Sequence, residues 1–198
     1  MSYWYGFDTP LVLASRSPRR SQILSLAGIP FDAVPSDAEE RNGSADPGAI
    51  VLHHSAAKAS LVSEAMPGRI VLGADTIVSV GSEVLGKPAD RRDALRMLSI
   101  LSGRWHEVFG GVTILGGAFP VSFCEVSRVR FRDLPRSEME AYVDTGEPAD
   151  KAGAYGIQGY GSVLVDRIEG CFFNVMGLPL ARTVEQLRKL AGARGVEP

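Results

Sequence analysis

Cysteine is scarce: Cys124 and Cys171 are the only two in 198 residues. They form no metal or redox motif, and such sparse usage fits a reducing compartment. Long hydrophobic runs are missing too, none approaching the roughly 18 residues of a membrane span. The first residues, MSYWYGFDTP, lack the basic region and apolar core of a signal peptide. Charge of one sign is also lacking. Lys and Arg total 21 and Asp and Glu 23, a net charge of −2 that argues against a general nucleic-acid binder. There is no internal repeat, no low-complexity segment and no linker long enough to separate independent domains. What remains is 45% hydrophobic and 22% charged, the composition of a soluble globular protein. The length suits one domain over residues 1–198, or one domain with two lobes. The expectation is a cytoplasmic protein with neither nucleic acid nor membrane as partner.

The most informative stretch is LVLASRSPRRSQILSLAGI, residues 11–29. Leu11 to Ala14 reads as a short buried strand. Ser17 is a good N-cap and Pro18 suits the first position of a helix. Ile23, Leu24 and Ala27 make its core stripe, and Gly28 its stop. The turn gathers free backbone N–H groups, the hydroxyls of Ser15 and Ser17, and the cations of Arg16, Arg19 and Arg20. Cations at a helix N-terminus oppose the dipole, so an anion such as phosphate would explain them. The alternative is an exposed turn with solvated arginines.

A strand from Ile29 to Val34 is followed by a polar loop, Ser36 to Asp46, carrying Glu39-Glu40. Asp46-Pro47 opens a long helix to about Met66. Its predicted stripe is Ile50, His54, Ala57, Leu61 and Ala65, with Val51 and Val62 at the edge. Lys58 falls inside that arc, where it must be paired or must snorkel. His53 and His54 are poorly placed to share a metal; His54 reads as structural and His53 as structural or exposed. Arg69 to Val80 reads as a central strand with Asp75 in its middle, a carboxylate that needs a cation, hydrogen bonds or a metal there. Gly73 and Ala74 leave space for a close approach.

A hairpin at Gly81-Ser82 leads to Lys87, held extended between glycine and proline. Asp90 caps a helix that ends at Gly103. Glu107 to Leu115 and Ala118 to Phe131 read as paired strands, with Arg128, Arg130 and Arg132 on an exposed face. Ser137 and Glu140 have capping-box spacing for a short helix to Val143. Residues 144–163 read as a long functional loop. A strand from Val163 to Ile168 and a helix from Pro179 to about Leu190 finish the chain.

Together LASRSPRR (13–20), GADTIV (73–78), LGKP (85–88), LSGRWHEV (101–108), DKAGAYGIQG (150–159) and GLPL (177–180) resemble the Maf family of nucleotide pyrophosphatases. The resemblance implies an α/β fold, a twisted mixed sheet flanked by helices in two lobes with an active-site cleft between them, and a homodimer. It implies hydrolysis of a nucleoside triphosphate to monophosphate and pyrophosphate with Mg²⁺ or Mn²⁺. Asp75 matches the family's proton acceptor. Arg19, Thr76 and Gln158 match positions linked to substrate choice, and Ser15, Glu40, Lys58 and Lys87 match cleft positions. Arg20 joins the substrate-binding set, and Glu40 with Asp75 makes the expected metal pair. DKAGAYGIQG looks like the branch acting on dTTP and UTP. The alternatives are a pyrophosphatase for another modified nucleotide such as 7-methyl-GTP, or a non-enzymatic nucleotide-binding regulator of division. Gly110 and Cys171-Phe172-Phe173 depart from the family's usual residues.

Overall fold

The computed structural model describes residues 4–38 and 46–192. In chain order it contains β1 (Leu11–Ala14), α1 (Pro18–Leu26), β2 (Phe31–Ala33), α2 (Pro47–Ala65), β3 (Val71–Val80), β4 (Glu83–Leu85), α3 (Arg91–Leu101), β5 (Trp105–Leu115), β6 (Val121–Phe131), α4 (Arg136–Asp144), β7 (Val165–Glu169), α5 (Phe172–Met176) and α6 (Leu180–Gly192). Strands run in the order β2-β1-β3-β5-β6-β7, with β4 paired to β3. β1 is parallel to both β2 and β3, whereas β4 on β3 and β7 on β6 are antiparallel, so the sheet is mixed. With helices between its strands, the chain is of the α/β class.

The chain divides into two compact units. One comprises Met1–Asp75, Gly110–Glu125 and Gly177–Pro198; the other comprises Thr76–Phe109 and Val126–Met176. In the first, all four residues of β1 are buried, as its unbroken apolar run requires. Val12, Ala14 and Val71 from the sheet pack with Ala59 and Val62 of α2. In the second, Leu95, Leu98 and Leu101 of α3 pack with Val129, Phe131, Tyr142 and Tyr155. β3 passes from one unit to the other between Asp75 and Thr76.

Capping follows the sequence at α2, where the Asp46 carboxylate accepts from Gly48 N, and at α3, where Asp90 accepts from Asp93 N. Elsewhere it does not. Ser17 is the N-cap of α1 but its side chain makes no capping bond; Ser15 Oγ accepts from Ser17 N instead. The capping box at Ser137 and Glu140 is absent, because α4 begins two residues earlier than that box requires, with Pro135 as N-cap. Residues 144–163 are not a structureless loop but hold three short 3₁₀ turns, Glu147–Asp150, Ala152–Ala154 and Gly159–Leu164. α5 has only five residues, too few to show a helical period in the sequence.

The buried face of α2 is also rotated from the predicted stripe. It is Ile50, Val51, His54, Ser55, Lys58, Ala59 and Val62, while Leu61 is exposed. Apolar count alone misplaces this face because two of its polar members have a partner in β3.

Candidate active site

Gly73 brings α2 and β3 together. A Cβ on Gly73 would lie 2.3 Å from Ser55 O and 2.8 Å from Ala59 N, so only glycine lets the helix backbone come so near. The space expected beside Asp75 is therefore filled by α2. Two residues further along β3, the Asp75 carboxylate meets the helix side chains one turn apart. Lys58 Nζ donates to Oδ1 at 2.7 Å and His54 Nδ1 lies 2.9 Å from Oδ2. All three are buried. Burial pushes the Asp75 carboxyl up, but the charges of Lys58 and Arg20 and the hydrogen bonds from Lys58 and His54 outweigh it. The group is held below the usual carboxylate value and is ionised at neutral pH. An ionised carboxylate only accepts, so His54 Nδ1 carries the proton of that contact.

Arg20 comes from the first turn of α1 and is buried, its Nε donating to Gly177 O at 2.9 Å and Nη1 to Ser15 Oγ at 3.0 Å. The GLPL segment and the first turn of α1 are thus joined through one guanidinium. Arg19 is half-buried beside it. Arg16 points elsewhere, to an exposed ion pair with Asp37. The three arginines read as one cluster are one buried brace, one half-buried cation and one surface charge.

Ser15, Arg20, Lys58 and Asp75 therefore belong to one unit, with His54 added. Thr76, Lys87 and Gln158 belong to the other. Thr76 follows Asp75 on β3 and so faces the opposite side of the strand. Lys87 is exposed just past β4, and Gln158 is half-buried with extended backbone ahead of the third 3₁₀ turn. Among the described residues neither Lys87 nor the Gln158 amide has a hydrogen-bond partner. The two segments are tied to each other, Gly153 N donating to Gly86 O at 3.0 Å. Glu40 lies outside the described residues. Among those described, no group of three His, Cys, Asp or Glu side chains is placed to hold a metal.

The basic face of β6 is neutralised in place. Arg128 pairs with Glu169, Arg130 with Asp166 and Arg132 with Glu138, and Arg128 also lies over the Trp105 ring.

A family model described as Maf-like protein matches residues 10–190. A protein of Bacillus anthracis named dTTP/UTP pyrophosphatase is 47% identical over 180 residues, 90% of this chain and 94% of its own. A Bacillus cereus protein of the same name is 46% identical over 180 residues, with the same coverage of 90% and 94%. The chain belongs to the Maf-like family. Its motifs fall where the geometry gathers polar groups: LASRSPRR at the β1–α1 turn, GADTIV around Asp75, and DKAGAYGIQG around Gln158. A solved structure, the Staphylococcus aureus Ham1 protein, matches more loosely, with TM-score 0.42 and 15% identity over 79% of this Maf-like chain and 80% of that one.

His54 is the member that sequence reasoning read as structural. In the sequence it looks like one apolar-stripe position, and its partner is 21 residues away on another element. The available signal was that His54 and Lys58 are spaced i, i+4, so that both reach one point opposite the helix. No helix of the described residues is long and apolar enough to cross a membrane.

Proposed function

We propose that the chain hydrolyses dTTP and UTP to the nucleoside monophosphate and pyrophosphate. The observation that carries this reading is the buried, ionised Asp75 held by Lys58 and His54. Binding a nucleotide does not require such a carboxylate, which costs several kcal/mol to bury. The name of the Bacillus relatives, dTTP/UTP pyrophosphatase, agrees with it. This reading takes residues 1–198 as one catalytic domain.

The residues divide the work by charge. A triphosphate carries about four negative charges, so it calls for cations and directed N–H donors. Arg19, Lys87 and the N–H groups at the start of α1 meet that need, while Arg20 braces Ser15 and the Gly177 carbonyl around the same turn. Lys58 has two partners to choose from. Paired with Asp75 it keeps that carboxylate a weak base; drawn to a phosphate oxygen it leaves Asp75 more basic. Asp75 then takes the proton of the water that attacks the α-phosphorus, and pyrophosphate leaves with the electron pair of the broken P–O bond. Base catalysis of this kind contributes on the order of 10²–10⁴-fold.

The donor chemistry fits a hard divalent ion, Mg²⁺ or Mn²⁺. Asp75 offers an ionised carboxylate, Glu40 is the second carboxylate that the family resemblance implies, and the substrate's own phosphates complete such sites. When bound, the ion supplies Lewis acidity toward the phosphate oxygens.

Gln158 reads the base. Its carboxamide sets an acceptor beside a donor, matching N3–H and O4 of uracil and thymine, whereas cytosine reverses the pattern. Thr76 and Arg19 are the other two positions that the family resemblance links to substrate choice. Replacing Gln158 by Glu is expected to lower the dTTP/CTP ratio of kcat/KM; an unchanged ratio would remove Gln158 from recognition. A homodimer is the assembly this reading adopts, checked by the mass in solution.

A further inference from the structure

We infer that Glu147 fixes the position of the Gln158 segment and so acts as a specificity-positioning residue. The inference rests on Gln158 being the base reader. In the turn after α4, Gly146 has φ +78 and reverses the chain, delivering Glu147 to the start of a 3₁₀ turn. From there a single carboxylate collects three donors. Oε1 accepts from Tyr142 Oη at 3.0 Å and from Gly161 N at 3.0 Å, and Oε2 accepts from Tyr160 N at 2.9 Å. Tyr142 Oη in turn accepts from Gly156 N at 3.1 Å.

Both ends of residues 156–161 are therefore fastened to one phenol and one carboxylate, with Gln158 in the span. Two glycines make the closure possible. At Gly159, φ is +69 and a Cβ would lie 2.4 Å from Glu147 Oε2; at Gly161 a Cβ would lie 2.4 Å from Gly156 O. The Gln158 backbone is extended, φ −113 and ψ 171, and its amide keeps its hydrogen-bonding capacity for a ligand. A reader on irregular backbone gains little discrimination unless its amide is held to within a fraction of an ångström. Glu147, whose bonds to Tyr160 and Gly161 span 13 and 14 residues, supplies that hold.

The test compares kcat/KM for dTTP and CTP in the full-length protein. Glu147→Ala and the same-sized Glu147→Gln are expected to lower the dTTP/CTP ratio by about tenfold, through KM for dTTP more than through kcat, since tenfold corresponds to about 1.4 kcal/mol of lost orientation. Tyr142→Phe, which deletes one hydroxyl, shifts the ratio the same way by less. In a Gln158→Ala background the Glu147 substitution changes the ratio no further, whereas a general loosening of the fold would add its effect to any background. If Gln158→Ala collapses the ratio while both Glu147 variants keep it at the wild-type value, the positioning role is wrong and the base-reading role stands. If Gln158→Ala itself leaves the ratio unchanged, the base-reading role is wrong and the inference falls with it.

Discussion

Lys58 and Asp75 form a buried ion pair, Nζ to Oδ1 at 2.7 Å, with both side chains about nine-tenths withdrawn from solvent. Their partnership is what allows either group to sit there. Lys58→Met leaves the Asp75 carboxylate with less compensation and is expected to cost about 3–5 kcal/mol of stability. Adding Asp75→Asn removes the buried charge, so the double variant should be destabilised by less than the sum of the two single ones. Urea melts of the four proteins measure the coupling. Additive losses would mean that the two groups do not interact energetically.

Gly73 sets how near α2 approaches β3. Gly73→Ala forces a methyl against Ser55 O and Ala59 N, and backbone on both sides cannot step aside cheaply. The expected loss is about 1–3 kcal/mol, with turnover reduced as well because Asp75 is displaced from Lys58 and His54. A variant with normal melting and normal turnover would show that α2 can move away from β3 at little cost.

His106 gives the stability a pH dependence. It is buried in the second unit with Nε2 2.9 Å from Tyr155 Oη, packed edge-on against Phe131 and Tyr155. Among the described residues its Nδ1 has no hydrogen-bond partner. Burial lowers its pKa from 6.5 to about 4, so the folded state favours the neutral ring. Between those values the unfolded chain binds a proton that the folded one refuses. Stability from this group is full above pH 6.5 and lost as pH falls toward about 4, by up to roughly 3 kcal/mol. Denaturant melts across that window should show a shallower slope in His106→Gln than in the wild type. Equal slopes would contradict the assignment.

Much of this was legible in local pattern and some of it was not. Leu11–Ala14 is apolar throughout and lies buried between two strands; Gly28 has the positive φ expected of a helix stop. Those features are dictated by neighbours in sequence. Asp75 announced itself because a carboxylate in an apolar strand must be compensated. What compensates it was half visible: Lys58 fell on the buried arc, but His54 was hidden among apolar stripe positions. Arg16 and Arg20 looked alike in sequence, and only the chain folding back through Gly177 separates a surface charge from a buried brace. The 144–163 segment read as a loop because its order comes from Glu147 and Tyr142 bonding across it, and sequence periodicity carries no record of such contacts. The motifs around Lys87 and Gln158 were found by resemblance; their mutual tie, Gly153 to Gly86, required the fold.

The most direct test is pyrophosphate release from a panel of dTTP, UTP, CTP, dATP, dGTP and 7-methyl-GTP with Mg²⁺ or Mn²⁺, for the wild type and for Asp75→Asn. The predicted result is release from dTTP and UTP well above the others, reduced by about 10²–10⁴-fold in Asp75→Asn while nucleotide binding persists. Near-normal release by Asp75→Asn, or no release from any nucleotide by the wild type, would contradict it.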